Sequence, residues 1–193
     1  MRVRHLLLLP LLAALLSGCV AAVVGGAAAG ARAAHDRRDL GTYVDDKRTF
    51  LTAYDSINED RELALKNNVR VVVYDAVILL IGEVRNEELK QRAQQRVTGI
   101  EGTRRIVNDL LVGEPIGFWA RRRDNTLSAH VKTALLDITS LPGFDPTRVN
   151  VTTAHRTVYL MGKVTREEEE AVVEIARNVA GVERVVKVFE YVD

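Results

Sequence analysis

The stretch VILLIGEV at residues 77–84 decides the fold, because TVYLMGKV at residues 157–164 repeats its pattern 80 positions later. Each stretch is rich in aliphatic and β-branched residues and ends with glycine, a charged residue and valine. A short apolar run of this kind, followed by polar residues, is typical of a β-strand. Its recurrence predicts two copies of one structural unit.

The residues around each stretch repeat as well. A helix with apolar residues at helical spacing precedes each hairpin, near residues 47–57 in the first copy and 126–136 in the second. The other shared features, first copy then second, are a Val-rich strand (68–73, 148–153), a polar hairpin loop (74–76, 154–156), an acidic helix start (86–88, 166–168) and a β-branched strand (105–107, 184–186).

This order predicts an α+β protein with two tandem small domains. Each domain reads helix-strand-strand-helix-strand, and the helix between two strands of one sheet should cross over right-handed and make that last pair parallel. Each copy should therefore hold a three-stranded mixed sheet with two helices on one face. A unit of about 65 residues buries little apolar surface alone, so the two copies are expected to pack together.

The N-terminal residues predict export and lipidation. Arg2 and Arg4 precede an apolar segment at residues 6–16, which is too short to span a bilayer and has the length of a signal peptide. The tetrad Leu16-Ser17-Gly18-Cys19 resembles the bacterial lipobox and contains the single cysteine of the chain. That resemblance implies cleavage before Cys19 and attachment of diacylglycerol and acyl chains such as palmitate.

Two alternatives to this interpretation are an unmodified bystander cysteine and an uncleaved membrane anchor. Residues 20–30 continue apolar and small, so residues 6–31 are long enough to span a bilayer with a small-residue face. Val20 stands where the bacterial inner-membrane retention signal has aspartate, which favours the outer membrane. We expect a lipid-anchored protein that faces the periplasm.

The predicted organisation follows from these features. Removal of residues 1–18 takes away Arg2 and Arg4, which leaves 25 basic against 26 acidic residues and a net charge of −1. Such a balanced charge argues against a nucleic-acid partner. The predicted segments are a signal peptide (1–18), a lipidated flexible tether (19–45), a first domain (46–112), a linker (113–123) and a second domain (124–193).

Residues for catalysis or metal binding are not grouped in this sequence. His35, His130 and His155 lie far apart and lack metal-ligand spacing, and the serines lack a nucleophile-elbow pattern. Glu167–Glu170 is interpreted as a solvated helix N-terminus, where carboxylates suit the helix dipole. We therefore expect a non-enzymatic protein without a metal, without a small-molecule substrate and without a cofactor other than the lipid on Cys19.

One segment breaks the surface pattern and is the candidate site. Phe118 and the single tryptophan, Trp119, are followed by Arg121, Arg122 and Arg123. Arginine attracts anionic headgroups, and tryptophan prefers the interfacial zone of a bilayer. The alternative is that both aromatic side chains pack between the domains as a plug while the arginines are solvated.

The repeated features resemble those of a known family. Strand-ending glycines (Gly82, Gly162), second glycines before a Val-rich strand (Gly102, Gly181) and the GEPIG link at residues 113–117 are similar to paired BON domains, related to the OsmY-like BON proteins. With the lipobox, the order resembles dual-BON outer-membrane lipoproteins of the DolP type. The four glycines are then structural.

The resemblance implies a lipoprotein that maintains the outer membrane, binds anionic phospholipid through the second BON domain and gathers at division sites. Envelope or division proteins are then its expected partners. The residues assigned to the phospholipid surface are Phe118, Trp119, Arg121, Arg122, Arg123, Thr126, Leu127 and His130. Thr126 departs from the family, which places an exposed aromatic residue there. The alternative function is a periplasmic protein–protein adaptor recruited by an envelope partner, through a sheet edge or the interdomain groove.

Overall fold

The computed structural model describes residues 37–138 and 141–192, which belong to one compact unit that begins at Arg37. The predicted signal peptide, Cys19 and the tether as far as residue 36 lie outside the described residues. Among the helices of the described ranges, none is long and apolar enough to cross a membrane.

The first copy contains three helices and four strands. It begins with a helix that is capped by the Asp39 carboxylate, which accepts a hydrogen bond from the Thr42 backbone N–H at 2.8 Å. The elements are α1 (Leu40–Glu59), α2 (Arg61–Lys66), β1 (Asn68–Tyr74), β2 (Val77–Val84), α3 (Glu87–Val97), β3 (Arg105–Asn108) and β4 (Leu111–Val112).

The second copy repeats this order without counterparts of α2 and β4 in the described residues. Its first helix is followed by a short 3₁₀ turn at Pro146–Arg148 and then by the hairpin. The elements are α4 (Phe118–Leu135), β5 (Asn150–Ala154), β6 (Thr157–Val164), α5 (Arg166–Asn178) and β7 (Arg184–Tyr191).

The predicted topology is confirmed in both copies. Strands β1 and β2 pair antiparallel, as do β5 and β6, while β3 pairs parallel with β2 and β7 pairs parallel with β6. The added strand β4 also pairs parallel with β2, so the first sheet has four strands. The central strands β2 and β6 are buried along almost their whole length, as their continuous apolar sequences predict.

Two helices begin earlier than the sequence predicts. Helix α1 begins at Leu40, inside the predicted tether of residues 19–45, and α4 begins at Phe118, inside the predicted linker of residues 113–123. Leu40, Phe118 and Trp119 are exposed. The first turns of both helices therefore contribute nothing to the core, and core periodicity could not reveal them.

Each sheet carries its helices on one face and a hydrophobic core beneath them. In the first copy, α1 and α3 cover β2 through residues such as Ile57, Leu80 and Ala93. In the second copy, α4 and α5 cover β6 through residues such as Leu135 and Leu160. Alternate residues of each central strand point away from these helices.

The faces without helices pack against each other and form a third apolar cluster. Leu79 and Ile81 of β2 meet Tyr159 and Met161 of β6 in this cluster, together with Val188 of β7. The described unit is therefore layered as helices, sheet, sheet and helices, with α1 and α4 on opposite outer sides. The expectation that the two copies pack together is confirmed, and their inner faces are in contact with each other.

The two hairpins turn through residues with positive φ. Asp75 and Ala76 have φ of 49° and 61°, and His155 and Arg156 have φ of 50° and 58°. Both pairs are two-residue loops of the kind that matches strand twist. A buried aspartate on the preceding helix holds each loop. Asp46 accepts the N–H groups of Asp75 and Ala76 at 2.7 and 2.8 Å, and Asp124 accepts those of His155 and Arg156 at 2.8 and 3.0 Å.

The four glycines singled out in the sequence lie at constrained positions. A Cβ on Gly82 would lie 1.8 Å from the carbonyl oxygen of Asn68, and a Cβ on Gly162 would lie 2.8 Å from that of Arg148. Gly82 also has a φ of +111°, which a residue with a side chain rarely adopts. The second glycines, Gly102 and Gly181, have positive φ as well.

Candidate membrane-binding surface

The first turn of α4 presents two aromatic side chains to solvent. Phe118 is 59% exposed and Trp119 is 71% exposed, and their rings meet edge to face with centroids 5.3 Å apart. Gly117 is the N-cap and supplies no side-chain hydrogen bond, and the first turn contains no acidic residue. Because both rings are exposed, the alternative in which they fill the space between the domains is wrong.

Three arginines follow the aromatic pair on the same helix. Arg121, Arg122 and Arg123 are exposed, and none of them forms an ion pair with a carboxylate within residues 37–138 and 141–192. The Arg122 guanidinium lies 5.9 Å from the centre of the Phe118 ring. These arginines thus present uncompensated positive charge beside an exposed apolar surface.

The one acidic side chain of α4 is buried and is not exposed on this surface. Asp124, the only acidic residue of the helix, is 3% exposed and its carboxylate accepts the two hairpin N–H groups described above. The Asp124 carboxylate therefore contacts the hairpin backbone instead of solvent. The outer face of α4 therefore carries only basic and uncharged side chains. Lys132 adds a further positive charge in the last turn.

The exposed residues of α4 follow the helical repeat. Phe118, Arg122 and Thr126 are spaced by four and therefore lie along one line of the outer face. The Thr126 hydroxyl donates to the Arg122 carbonyl oxygen at 3.1 Å, and His130 is exposed one turn further on. Thr126 and His130 stay predicted contacts at the border of the surface. We call Phe118, Trp119 and Arg121–Arg123 the α4 patch.

Leu127 does not belong to this surface. Its side chain is 7% exposed, and its Cδ1 lies 3.6 Å from the point where a Cβ on Gly181 would stand. It shares the inward side of α4 with Asp124 and Val131. The prediction that Leu127 contacts phospholipid is therefore wrong, because the residue that follows an exposed position can face the core of the same helix.

The acidic run at the start of α5 is only partly solvated. Glu167 and Glu170 are exposed, but Glu168 and Glu169 are buried, which corrects the prediction for the middle pair. Burial alone raises the pKa of Glu168, yet hydrogen bonds from Arg37 and the Thr165 backbone outweigh it and lower the pKa. A hydrogen bond from Lys187 lowers the pKa of Glu169. Both carboxylates are therefore structural.

Polar links that the sequence did not reveal join the two domains. Arg70 of β1 donates to the Thr153 carbonyl oxygen at 2.7 Å and to the Thr152 hydroxyl at 2.9 Å, and burial lowers the pKa of this arginine. The Tyr159 hydroxyl donates to Asp109 at 2.8 Å, and burial followed by this bond raises the pKa of Tyr159. Residues far apart in sequence form these pairs, so spacing gave no signal.

A second exposed apolar surface lies on α1. Leu40, Val44, Leu51 and Tyr54 are all more than half exposed and recur at helical spacing. The Phe50 and Tyr54 rings stack with centroids 5.9 Å apart. We call Leu40, Val44, Leu51 and Tyr54 the α1 stripe. Leu40 and Val44 fall in the segment predicted as a tether, and the spacing of Leu51 and Tyr54 is that of any amphipathic helix, so the sequence did not reveal this stripe.

Metal binding finds no support in the residues that the structure describes. In that part of the chain, no three residues among histidine, cysteine, aspartate and glutamate are grouped so that they could hold an ion.

The fold and its repeats correspond to a known family. A model of the BON domain matches residues 54–114 and residues 123–193, which together make up more than half of the chain. The chain therefore belongs to the family of BON-domain proteins, and it carries two copies of the domain.

Relatives narrow this assignment to one type within the family. The chain is 34% identical over 178 residues to the outer membrane lipoprotein DolP of Haemophilus influenzae, which covers 92% of this chain and 91% of the relative. It is 32% identical over 157 residues to the 21 kDa hemolysin of Actinobacillus pleuropneumoniae, covering 81% and 79% of the two chains. The chain is of the DolP type, and this similarity supports an outer-membrane lipoprotein with BON domains.

A solved structure is similar at a lower level. CdsD, a structural protein of the type III secretion system of Chlamydia trachomatis, aligns over 74% of this chain and 91% of its own, at 15% identity and a TM-score of 0.28. A score this low supports no conclusion about the function or the domain arrangement of this chain.

Proposed function

We propose that this protein is a non-enzymatic lipoprotein of the outer membrane that faces the periplasm, is lipidated on Cys19 and binds anionic phospholipid through its second BON domain. In this role it supports envelope integrity and acts at division sites. The observation that carries the proposal is the α4 patch, where two exposed aromatic rings adjoin three arginines without carboxylate partners in the described residues.

The chemistry of the α4 patch fits a bilayer surface. Each arginine near an anionic membrane contributes about 1 kcal/mol, and tryptophan favours the depth of the headgroups. The backbone N–H groups at the start of α4 also favour negative charge. Since Asp124 is buried, no carboxylate of α4 repels a phosphate from this face.

The test is vesicle co-sedimentation of residues 20–193, produced without lipid. We expect binding to vesicles that contain phosphatidylglycerol, little binding to pure phosphatidylcholine, and weakening as salt rises. Trp119 is the only tryptophan, so a blue shift of its emission reports its entry into the interface. Equal affinity for neutral and anionic vesicles would contradict the proposal.

Two variants with matched controls separate the contributions. Replacement of Arg121, Arg122 and Arg123 by serine should weaken binding roughly a hundredfold, since three arginines supply about 3 kcal/mol. The control replaces three other exposed arginines, Arg48, Arg156 and Arg177, by serine and changes the net charge equally. Trp119→Ala should also weaken binding, whereas Leu65→Ala, at an exposed apolar position on α2, should not.

The second candidate function is a periplasmic adaptor for an envelope protein, and the α1 stripe favours it. Four exposed apolar side chains on one helix are typical of protein contacts. Because α1 and α4 lie on opposite outer sides, the stripe is turned away from a membrane that the α4 patch contacts. Site-directed crosslinking from Val44 that traps one envelope protein, and that Leu51→Asp abolishes without loss of vesicle binding, would favour the adaptor.

A further inference from the structure

Arg37 binds the second BON domain although it precedes the first in sequence. Its guanidinium donates to both carboxylate oxygens of Glu168, at 2.6 and 2.7 Å, and to the Lys163 carbonyl oxygen at 3.0 Å. The side chain of Glu168 is 9% exposed. Two parallel charge-assisted bonds fix both the position and the plane of the guanidinium.

Arg38, the next residue, binds the first BON domain. Its guanidinium donates to Asp46 at 2.5 Å and lies 3.9 Å from the centre of the Tyr74 ring. Asp46 is the carboxylate that also accepts the hairpin N–H groups of Asp75 and Ala76. Arg38 therefore joins a buried cluster that already organises the end of the first hairpin.

Further ion pairs between the two domains lie next to these two arginines. Lys163, whose carbonyl oxygen accepts from Arg37, places its ammonium 2.8 Å from the Asp75 carboxylate of the first hairpin. Arg104 pairs with the same carboxylate at 2.9 Å. Consecutive residues thus bind different domains at the place where the two domains also bind each other.

Chain connectivity does not require this arrangement. The BON match begins at residue 54, and a tether needs to join only the first domain. Asp124, the counterpart of Asp46, holds its own hairpin through the same pair of N–H bonds, and an arginine equivalent to Arg38 is not among its hydrogen-bond partners in the described residues. The arginine pair is thus an addition to the repeated unit, located where the predicted tether meets the first helix.

We propose that Arg37 and Arg38 are positioning residues that fasten the end of the tether across both BON domains. The end of the tether is then attached directly to the second domain, which carries the α4 patch, as well as to the first domain. Its consequence for membrane binding rests on the proposed function: the lipid on Cys19 and the α4 patch act as two linked contacts, and a fixed attachment raises the effective concentration of the patch at the bilayer.

Limited trypsin digestion of the full lipidated protein in detergent tests the fastening. Glu168→Gln keeps a residue that suits a capping box and keeps Arg37 as a cleavage site, but removes the charge that binds it. We expect cleavage after Arg37 to be about tenfold faster than in the wild type, as for a loss of about 1.4 kcal/mol of local stability. Glu170→Gln, at an exposed position on the same helix, should leave the rate unchanged. Equal rates in wild type and Glu168→Gln would overturn the fastening.

Quenching of Trp119 by headgroup-labelled phosphatidylglycerol tests the membrane consequence. In the lipidated protein, Glu168→Gln should reduce quenching severalfold, while in lipid-free residues 20–193 it should leave vesicle binding unchanged. Faster cleavage with unchanged quenching in the lipidated protein would overturn the linked contacts. Absence of quenching in wild type and variant alike would instead contradict the proposed function, and the digestion result would still decide the fastening.

Discussion

At the scale of single residues, both domains depend on a buried aspartate that binds backbone. Asp46 and Asp124 lie 78 positions apart, and each accepts two N–H groups of a hairpin whose loop residues have positive φ. The sequence shows both aspartates, but nothing in their spacing distinguishes them from exposed helix residues. Their role depends on a contact between elements that only the folded chain brings together.

The aspartate contact predicts a large effect of a small change. Asp124→Ala leaves two hairpin N–H groups without their acceptor and should lower the free energy of unfolding by about 2–4 kcal/mol. Asp137→Ala, at an exposed position just beyond the same helix, should change it by less than about 0.5 kcal/mol. Urea denaturation followed by circular dichroism measures both, and equal midpoints would show that the aspartate does not hold the hairpin.

Gly82 gives a second prediction at this scale. A methyl group there would collide with the Asn68 carbonyl oxygen, so Gly82→Ala should destabilise the protein by roughly 3 kcal/mol or more. Gly99 also has positive φ, but no atom lies within 4 Å of the point that a Cβ would occupy, so Gly99→Ala should cost only about 1 kcal/mol. Thermal unfolding of the two variants compares the collision with the conformational cost alone.

At the scale of elements, the sequence predicted three strands and the later helix of each domain well, but it did not predict β4. The central strands are continuous apolar runs, and Leu89, Ala93 and Val97 of α3 are buried as their spacing predicts. The starts of α1 and α4 could not be predicted in the same way, because the apolar residues of those first turns are exposed. Leu127 is the opposite case: it was assigned to the exposed candidate site, but it lies on the inward side of α4 and is buried. Tertiary contacts, such as that between Arg37 and Glu168, leave no local pattern.

The two buried glutamates at the start of α5 predict that the stability of the fold depends on pH. The pKa values of Glu168 and Glu169 are lowered in the folded protein below the ordinary value of 4.5. Their contribution to stability is therefore complete above that pH and is lost as the pH falls through the lowered values. Denaturation between pH 6 and pH 3 should show falling stability below about pH 4.5, and Glu169→Gln should reduce the slope.

At the scale of the whole described unit, the inner faces of the two sheets make the domains depend on each other. Met161 is fully buried between the sheets, in the cluster that also contains Leu79 and Ile81 of the first domain. Val172 is equally buried but lies in the core of the second domain alone. A truncation at Met161 should therefore destabilise both domains, whereas one at Val172 should act mainly on the second.

Hydrogen exchange can measure this difference. Met161→Ala should cost about 2–5 kcal/mol and should increase exchange in β1 and β2 as well as in β5 and β6. Val172→Ala should destabilise the second domain while its effect on the first is smaller. Unchanged protection of the first domain in Met161→Ala would show that the domains unfold independently.

The opposite placement of α1 and α4 also bears on how the two copies differ. The interior is shared between them in kind: a buried aspartate, an inward-facing helix side and a glycine beside it. The outer faces differ, with Leu40 and Val44 where the second copy has Phe118 and Arg122, at the same offset as the aspartate pair. Because the two outer faces do not contact each other, a substitution on one face does not alter the packing of the other. The two copies therefore bury the sides that they share, and they expose two chemically different surfaces to their surroundings.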